Sequence, residues 1–376
     1  MYDIKNISYI PLNNIGSLPK GTIDCATSTI IVDNKKYYNL SSGLRVKEQD
    51  LEVIKENNNI ENNISKIEIT EDEKYVSVKV KESEKASYIL KVNGIDYDNK
   101  NTSNYGVKNI NFDNISIEFN NSILITDKIK FNNNEIFKDA ELVKGEKPTL
   151  KLSFKNKDGY YGHLANYDDE GNLIIKFRKK VKSIKDLKVV IDSGHGLIEN
   201  GINDPGALGF NNINEHDINV KIAEQVKNEL VEKGATVVIL DTSNKFYSLG
   251  ERPEEAAKMD ADLFISIHNN SGGSGEFNAN EVYYNKPFSK ALALQINKEI
   301  LSVYKNDLFG GNEDKYNRGT KWDYYTVILE EHCPSVLVEV GYVDNEVSFN
   351  KLIDPLYQEK LGKAIASGIE KYININ

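Results

Sequence analysis

Two histidines and two glutamates stand out in the second half of the chain, because each sits where an apolar run ends, begins or is broken. His195 follows Lys188-Val-Val-Ile-Asp-Ser-Gly194, and His268 follows Ala261-Asp-Leu-Phe-Ile-Ser-Ile267. Glu215 opens a helical pattern at Asn214-Glu-His-Asp217, and Glu339 interrupts the run Val336-Leu-Val-Glu-Val340. Two imidazoles and a carboxylate delivered to one edge of an α/β sheet make the ligand set of a catalytic zinc with an open fourth position. Glu339 is the candidate base for water at such a metal, since a carboxylate inside an apolar strand needs a partner or a task. Each residue also has an ordinary explanation. His195 lies between two glycines and reads as a turn residue, His268 as a satisfied core side chain, and Glu215 as an acid favoured by the helix macrodipole. Four such residues at strand and helix ends point jointly to one site.

The elements that must position them follow from periodicity. Val189 to Asp192, Thr236 to Leu240, Leu263 to Ile267 and Val336 to Val340 are near-continuous apolar runs, as expected of strands covered on both faces. Between them, Glu215 to about Lys233, Glu251 to Met259, Phe288 to Tyr304 and Pro355 to Tyr372 read as helices. In the first of these, Ile218, Ile222, Val226 and Leu230 recur at helical spacing, so that stripe faces the sheet and Glu215 sits at its leading edge. The expected fold is an α/β domain over residues 187–376, a mostly parallel sheet with helices on both faces.

Residues 1–180 follow a different rule. Lys66-Ile-Glu-Ile-Thr70, Tyr75-Val-Ser-Val-Lys-Val80, Ser87-Tyr-Ile-Leu-Lys-Val92, Ile115-Ser-Ile-Glu-Phe119, Thr149-Leu-Lys-Leu-Ser-Phe154 and Asn172-Leu-Ile-Ile-Lys-Phe177 alternate apolar with polar. Short alternating strands split by Asn, Asp and Gly clusters predict an all-β region, one sandwich or two small modules. Asn57 to Asn63 marks one polar loop, and Asn99 to Asn104 is a possible division. The switch from one pattern to the other falls near residue 185.

With 376 residues the chain is long enough for two or three domains, and its net charge of −10 disfavours nucleic-acid binding, which needs a basic face. Cys25 and Cys333 lie in different predicted regions and are not expected to pair. No segment approaches transmembrane length, and Met1 to Ile7 lacks the basic-then-apolar layout of a secretory signal.

On these residues the chain from about 187 to 373 resembles the catalytic domain of zinc-dependent N-acetylmuramoyl-L-alanine amidases, which hydrolyse peptidoglycan. The resemblance is carried by Val190-Ile-Asp-Ser-Gly-His-Gly196, Asn203-Asp-Pro-Gly-Ala-Leu-Gly209, Asn214-Glu-His-Asp-Ile-Asn219, Leu249-Gly-Glu-Arg252, Ala261 to Asn270, Glu281-Val-Tyr-Tyr284, Arg318-Gly319 and Pro334 to Tyr342. It implies zinc ligands at His195, Glu215 and His268, and Glu339 as catalytic acid/base. Ser193, where the family usually has proline, and Asn269 depart from its pattern at positions that are not ligands. The implied reaction is hydrolysis of the amide between N-acetylmuramic acid and L-alanine of the stem peptide, outside the cytoplasm or in the cell wall. The bond choice rests on the resemblance, because the ligand set alone would serve a zinc peptidase cutting within the stem peptide equally well. A non-catalytic wall-binding protein is a third reading, against which the retained ligands and Glu339 weigh. The resemblance leaves open whether a protein activator acts on the enzyme.

Other residues carry smaller expectations. His216 neighbours a ligand but points elsewhere along its helix. Asp192 is a candidate for orienting a ligand. Ser271-Gly-Gly-Ser-Gly275 borders the expected groove or is a plain linker, and Arg318 meets either a substrate carboxylate or a structural ion-pair partner. His163, His332 and Cys333 are read as structural. Paired tyrosines such as Tyr37-Tyr38 and Tyr160-Tyr161 suit a wall-targeting module or an inert spacer.

Overall fold

The computed structural model describes residues 26–32, 35–40, 45–47, 62–84, 88–98, 106–120, 122–198, 201–307 and 317–375. Asn57 to Asn59 of the expected polar loop, Asn99 to Asn104, Cys25 and the Met1 to Ile7 segment lie outside them, whereas Asn62 and Asn63, expected in the loop, open a strand.

Residues 62–178 fold as two facing sheets. In one, Asn62–Glu71 pairs antiparallel with Tyr75–Glu82, which pairs with Leu173–Arg178 and through it with His163–Tyr167. In the other, Phe137–Val143, Thr149–Phe154, Asn114–Phe119 and Tyr88–Val92 lie side by side, all antiparallel. Inward residues of both, among them Ile67, Ile69, Val78, Ile117, Phe119, Leu150 and Leu152, form a single core. The alternation in sequence becomes alternation in burial, as a half-buried strand requires. Tyr88–Val92 pairs directly with Asn114–Phe119, so strands from before and after the possible division at Asn99 to Asn104 share one sheet.

Beyond Arg178 the chain builds a six-stranded sheet in the order Thr236–Ile239, Lys188–Ser193, Leu263–Asn270, Ser335–Tyr342, Asn280–Tyr284, Asn317–Trp322. The first four run parallel, Asn280–Tyr284 is antiparallel to Ser335–Tyr342, and Asn317–Trp322 is parallel to Asn280–Tyr284. The sheet is therefore mixed. Its helices are α1 (Glu215–Glu232), α2 (Glu251–Lys258), α3 (Lys290–Asp307), α4 (Glu346–Leu352) and α5 (Pro355–Ile373).

Because consecutive strand residues point to opposite faces, each central strand feeds two cores. Val189, Ile191, Ile265, Ile267, Val336 and Val338 pack with Ile222 and Val226 of α1, Ile296 of α3 and Ile365 of α5. Val190, Phe264 and Leu337 join Ala256 of α2, Tyr247, Val327 and Cys333 on the other face. Cys333 is a buried free thiol.

The two halves are packed together. Phe288 lies in the core of the sandwich, edge-on to Tyr160 at 5.0 Å, and Val107 lies in the core of the α/β half. Between them Arg178, the last residue of its strand and 2% exposed, forms ion pairs with Asp262 at 2.8 Å and Asp260 at 2.9 Å. It also donates to the His332 carbonyl at 2.9 Å and the Tyr75 hydroxyl at 2.6 Å.

Candidate active site and metal centre

The parity that sorts core residues also lines up polar ones. His268, Glu339 and Glu281 are direct cross-strand partners on three adjacent strands. They share the face that carries Phe264, Leu337 and Tyr283, and form a row across the sheet. His268 lies inside its strand, which extends to Asn270, rather than just beyond it.

Glu215, the first residue of α1, reaches this row from the side. Its Oε1 faces His268 Nδ1 at 3.0 Å and its Oε2 faces His195 Nε2 at 3.1 Å. Main-chain N–H groups fix the same carboxylate, Asn269 donating to Oε1 at 3.1 Å and Ala207 to Oε2 at 2.9 Å. Asn219, one turn along α1, donates to Oε1 at 3.3 Å and is itself held by the Asn269 side chain at 2.8 Å. Burial opposes the Glu215 charge, but His195 and His268 outweigh it and hold the carboxyl well below the usual range.

His195 stands on a backbone with φ 68, the left-handed region costly for a side chain other than glycine. That turn is clamped from beneath. The Gly194 carbonyl accepts from His216 Nδ1 at 2.7 Å and from the Asn219 side-chain amide at 3.3 Å, while Arg252 donates to the His195 carbonyl at 2.8 Å. Arg252 is fixed by Asp192 at 2.7 Å, and Asp192 accepts from Ser266 at 2.7 Å. Asp192 thus acts on His195 through Arg252 rather than by touching its ring. The ring is set by Asp204, which accepts a hydrogen bond from Nδ1–H at 2.8 Å and leaves Nε2 aimed at Glu215. Burial disfavours a charged His195, but the Glu215 and Asp204 carboxylates prevail and raise its pKa to about 9.

Ligand-capable atoms of His195, Glu215 and His268 all lie within 4.8 Å of one another. A tetrahedral zinc with bonds of roughly 2.1 Å has its ligand atoms about 3.4 Å apart, so the spacing and the N, N, O donor set suit zinc. The cradle is also free of obstruction. A Cβ on Gly194 would fall 2.1 Å from His268 Nε2, and one on Gly206 would fall 2.6 Å from Glu215 Oε2. Both positions must be glycine for the three side chains to meet.

Glu339 stands beside His268, and its Oε2 is buried with no hydrogen-bond partner among the described residues. Burial pushes its carboxyl up to about 7, with the Glu215 and Glu281 charges adding to the effect against the pull of His268. Glu281, fully buried, is by contrast saturated. It accepts from Tyr342 at 2.8 Å, Lys321 at 2.9 Å, Tyr283 and Arg318. Arg318 is thus ion-paired within the protein. The Ser271–Gly275 loop is tethered by Gly272 and Gly275 N–H groups on Asp344 at 2.9 and 3.2 Å.

Of the residues singled out in sequence, the structure brings His195, Glu215, His268 and Glu339 together. His216 is buried beneath the ligand turn. His332 and Cys333 lie away from the site, where Cys333 Sγ is 3.1 Å from His332 Nε2, and His163 pairs with Tyr160 at 2.7 Å. Sequence reasoning gave no role to Asp204, Arg252, Asn219 or Glu281. The Asp-Pro-Gly turn soon after His195 and a glutamate before Val-Tyr-Tyr were the available signals.

A family model described as N-acetylmuramoyl-L-alanine amidase matches residues 189–371, the α/β half. The N-acetylmuramoyl-L-alanine amidase LytC of Bacillus subtilis (strain 168) is 36% identical over 184 residues, which are 49% of this chain and 35% of LytC. The chain thus spans only about a third of that relative. The uncharacterized protein YqiI of the same organism is 35% identical over 188 residues, 49% of this chain and 84% of YqiI. Among solved structures, the catalytic domain of CwlV, the N-acetylmuramoyl-L-alanine amidase from Bacillus (Paenibacillus) polymyxa var. colistinus, is 32% identical. It covers 50% of this chain and 99% of that domain, with a TM-score of 0.44. With a model that takes in every residue of the converging site, and a relative matched over most of its own length, the chain belongs to the N-acetylmuramoyl-L-alanine amidase family.

Proposed function

We propose that residues 187–376 form a zinc-dependent amidase domain that hydrolyses the amide between N-acetylmuramic acid and L-alanine of the peptidoglycan stem peptide, with residues 1–180 as a β-rich accompanying region. The observation that carries this reading is the meeting of His195, Glu215 and His268 beside a carboxylate with a buried, partnerless oxygen. His195, Glu215 and His268 would hold the metal, and Asp204 orients His195 by accepting a hydrogen bond from its Nδ1–H. A bound zinc supplies the Lewis acid that polarises the scissile carbonyl and makes water nucleophilic at neutral pH. Glu339 accepts the proton of the attacking water and returns it to the leaving nitrogen. As the C–O bond forms the C–N bond breaks, giving a lactyl carboxyl and a free L-alanine amine. The site of action is the cell wall. Among the described residues no helix is long and apolar enough to cross a membrane.

The test compares metal content and peptide release for the wild type and Glu339→Gln. The expected result is about one zinc in each, intact stem peptides released by the wild type, and turnover lowered by roughly 10²- to 10⁴-fold in the variant. New amino termini within the stem peptide, with no free lactyl groups, would point instead to a peptidase. Zinc without release from any wall preparation would favour a binding role.

A further inference from the structure

Resting on the amidase reading above, the next question is what the rest of the polar row is for. Beyond Glu339 it continues into Glu281, whose single carboxylate is met by two cations, Arg318 and Lys321. Glu281 itself is fully buried, while Arg318 and Lys321 keep 35% and 34% of their side chains exposed. The cluster is thus anchored from below, with two cations on one carboxylate.

Arg318 is placed by the backbone and not by chance rotation of a surface side chain. In the pairing of the two outer strands Asn280 is opposite Asn317 but Glu281 is opposite Gly319, so Arg318 is the extra residue of a bulge. Gly319 follows with φ 84. Bulges re-aim a side chain, and this one lets Arg318 reach the same carboxylate as Lys321. The Arg318 guanidinium lies 4.3 Å over the Phe277 ring and 5.9 Å from that of Tyr342, and Phe277 is 40% exposed. Its Nε is bound to Glu281, while among the described residues its two terminal nitrogens have no hydrogen-bond partner. A stacked guanidinium, tethered at one nitrogen with its outer edge open, is arranged to receive a planar anion such as a carboxylate.

The proposed substrate decides which part supplies that anion. The lactyl carboxyl of the sugar is consumed in the scissile amide, so free carboxylates belong to the peptide. Glu281 is two strands from His268, and strands are spaced about 4.8 Å apart, so the cluster sits roughly 10 Å from the metal ligands. An extended peptide covers that distance in about three residues at roughly 3.3–3.6 Å each.

We propose that Arg318 and Lys321, carried by Glu281 and stacked on Phe277, form a subsite for a carboxylate on the second or third residue of the stem peptide counted from the cut. Glu281 is a positioning residue, and Arg318 and Lys321 bind the substrate.

The experiment uses glycan-linked peptides that differ only in a free carboxylate or a carboxamide at that residue. The wild type is expected to favour the free acid by roughly 10- to 100-fold in kcat/KM, mainly through KM. Arg318→Gln should lose most of that preference, and Lys321→Gln part of it, with zinc content unchanged. Equal use of both substrates by the wild type, or full preference retained in Arg318→Gln, overturns the proposal. The wild-type comparison needs no variant, so it decides even if Arg318→Gln fails to fold. Calorimetric binding of the two peptides to Glu339→Gln separates this proposal from the amidase reading. If the wild type cleaves neither peptide, the amidase reading fails, and unequal or equal binding still decides the subsite.

Discussion

In the strand Thr149–Phe154 of the sandwich, Leu150, Leu152 and Phe154 are buried and the residues between them are not, whereas Val189 to Ser193 of the α/β sheet are buried in succession. Both strands rest on the same two-residue periodicity, but only one is covered on both faces. A polar side chain between apolar neighbours therefore means different things in the two halves. On the sandwich it faces water and costs nothing. In the α/β sheet it sits in a covered layer, where it needs partners. Asp192, Ser266, Glu281 and Glu339 are all of this second kind, and the first three have their partners. Glu339 alone of the four keeps a buried carboxylate oxygen without one.

The comparison breaks first where the halves meet. Arg178→Met strips Asp262 of its buried counter-charge, while Asp260 keeps Lys74 at 2.8 Å, and the expected loss is about 3–5 kcal/mol of unfolding free energy in urea titration. A loss below about 1 kcal/mol would mean that the two halves are coupled by apolar packing alone. Within the site, Asp204→Ala removes the acceptor that fixes the His195 ring, and zinc affinity measured by chelator competition should fall roughly 10- to 100-fold.

A smaller effect concerns acid stability at Glu331. Burial opposes its charge, but Lys286 and His163 hold its carboxyl down to about 2 from an ordinary value of 4.5. A depressed carboxylate stabilises the fold above about pH 4.5 and loses that contribution as pH falls towards 2. Lys286→Met should therefore lower stability at pH 8, modestly because the Glu331 side chain is 40% exposed, with the difference from the wild type shrinking as pH falls towards 2. The smallest change is expected at Lys138, exposed on the sandwich strand Phe137–Val143. There an alanine should alter the thermal midpoint by the equivalent of no more than about 0.5 kcal/mol.

The sequence made much of this legible for a physical reason. Alternation at Tyr75 to Val80 and Thr149 to Phe154, and unbroken apolar runs at Val189 and Leu263, report how many faces of a strand are covered. What it hid was pairing. Asn280–Tyr284 and Asn317–Trp322 are short strands rich in polar residues, and nothing in them announces that one runs antiparallel to Ser335–Tyr342. Without them, Glu281 and Arg318 could not be placed beside Glu339. The helix α4 is a seven-residue element capped by Asn345, too short to display a period. Arg178 opens the basic stretch Arg178-Lys-Lys180, yet its guanidinium is among the most deeply buried charges among the described residues. Its acidic partners, Asp260 and Asp262, are brought to it only by the tertiary fold.

That arginine has a consequence for the order of events during synthesis. Leu173–Arg178 lies between Tyr75–Glu82 and His163–Tyr167, so the first sheet of the sandwich is complete once residue 178 has left the ribosome. At that moment Asp260, Asp262 and Phe288 have not yet been made. The nascent sandwich carries a cation with no counter-ion and a core still lacking one aromatic ring. Only when the α/β half has been made do the counter-ions and the aromatic ring arrive.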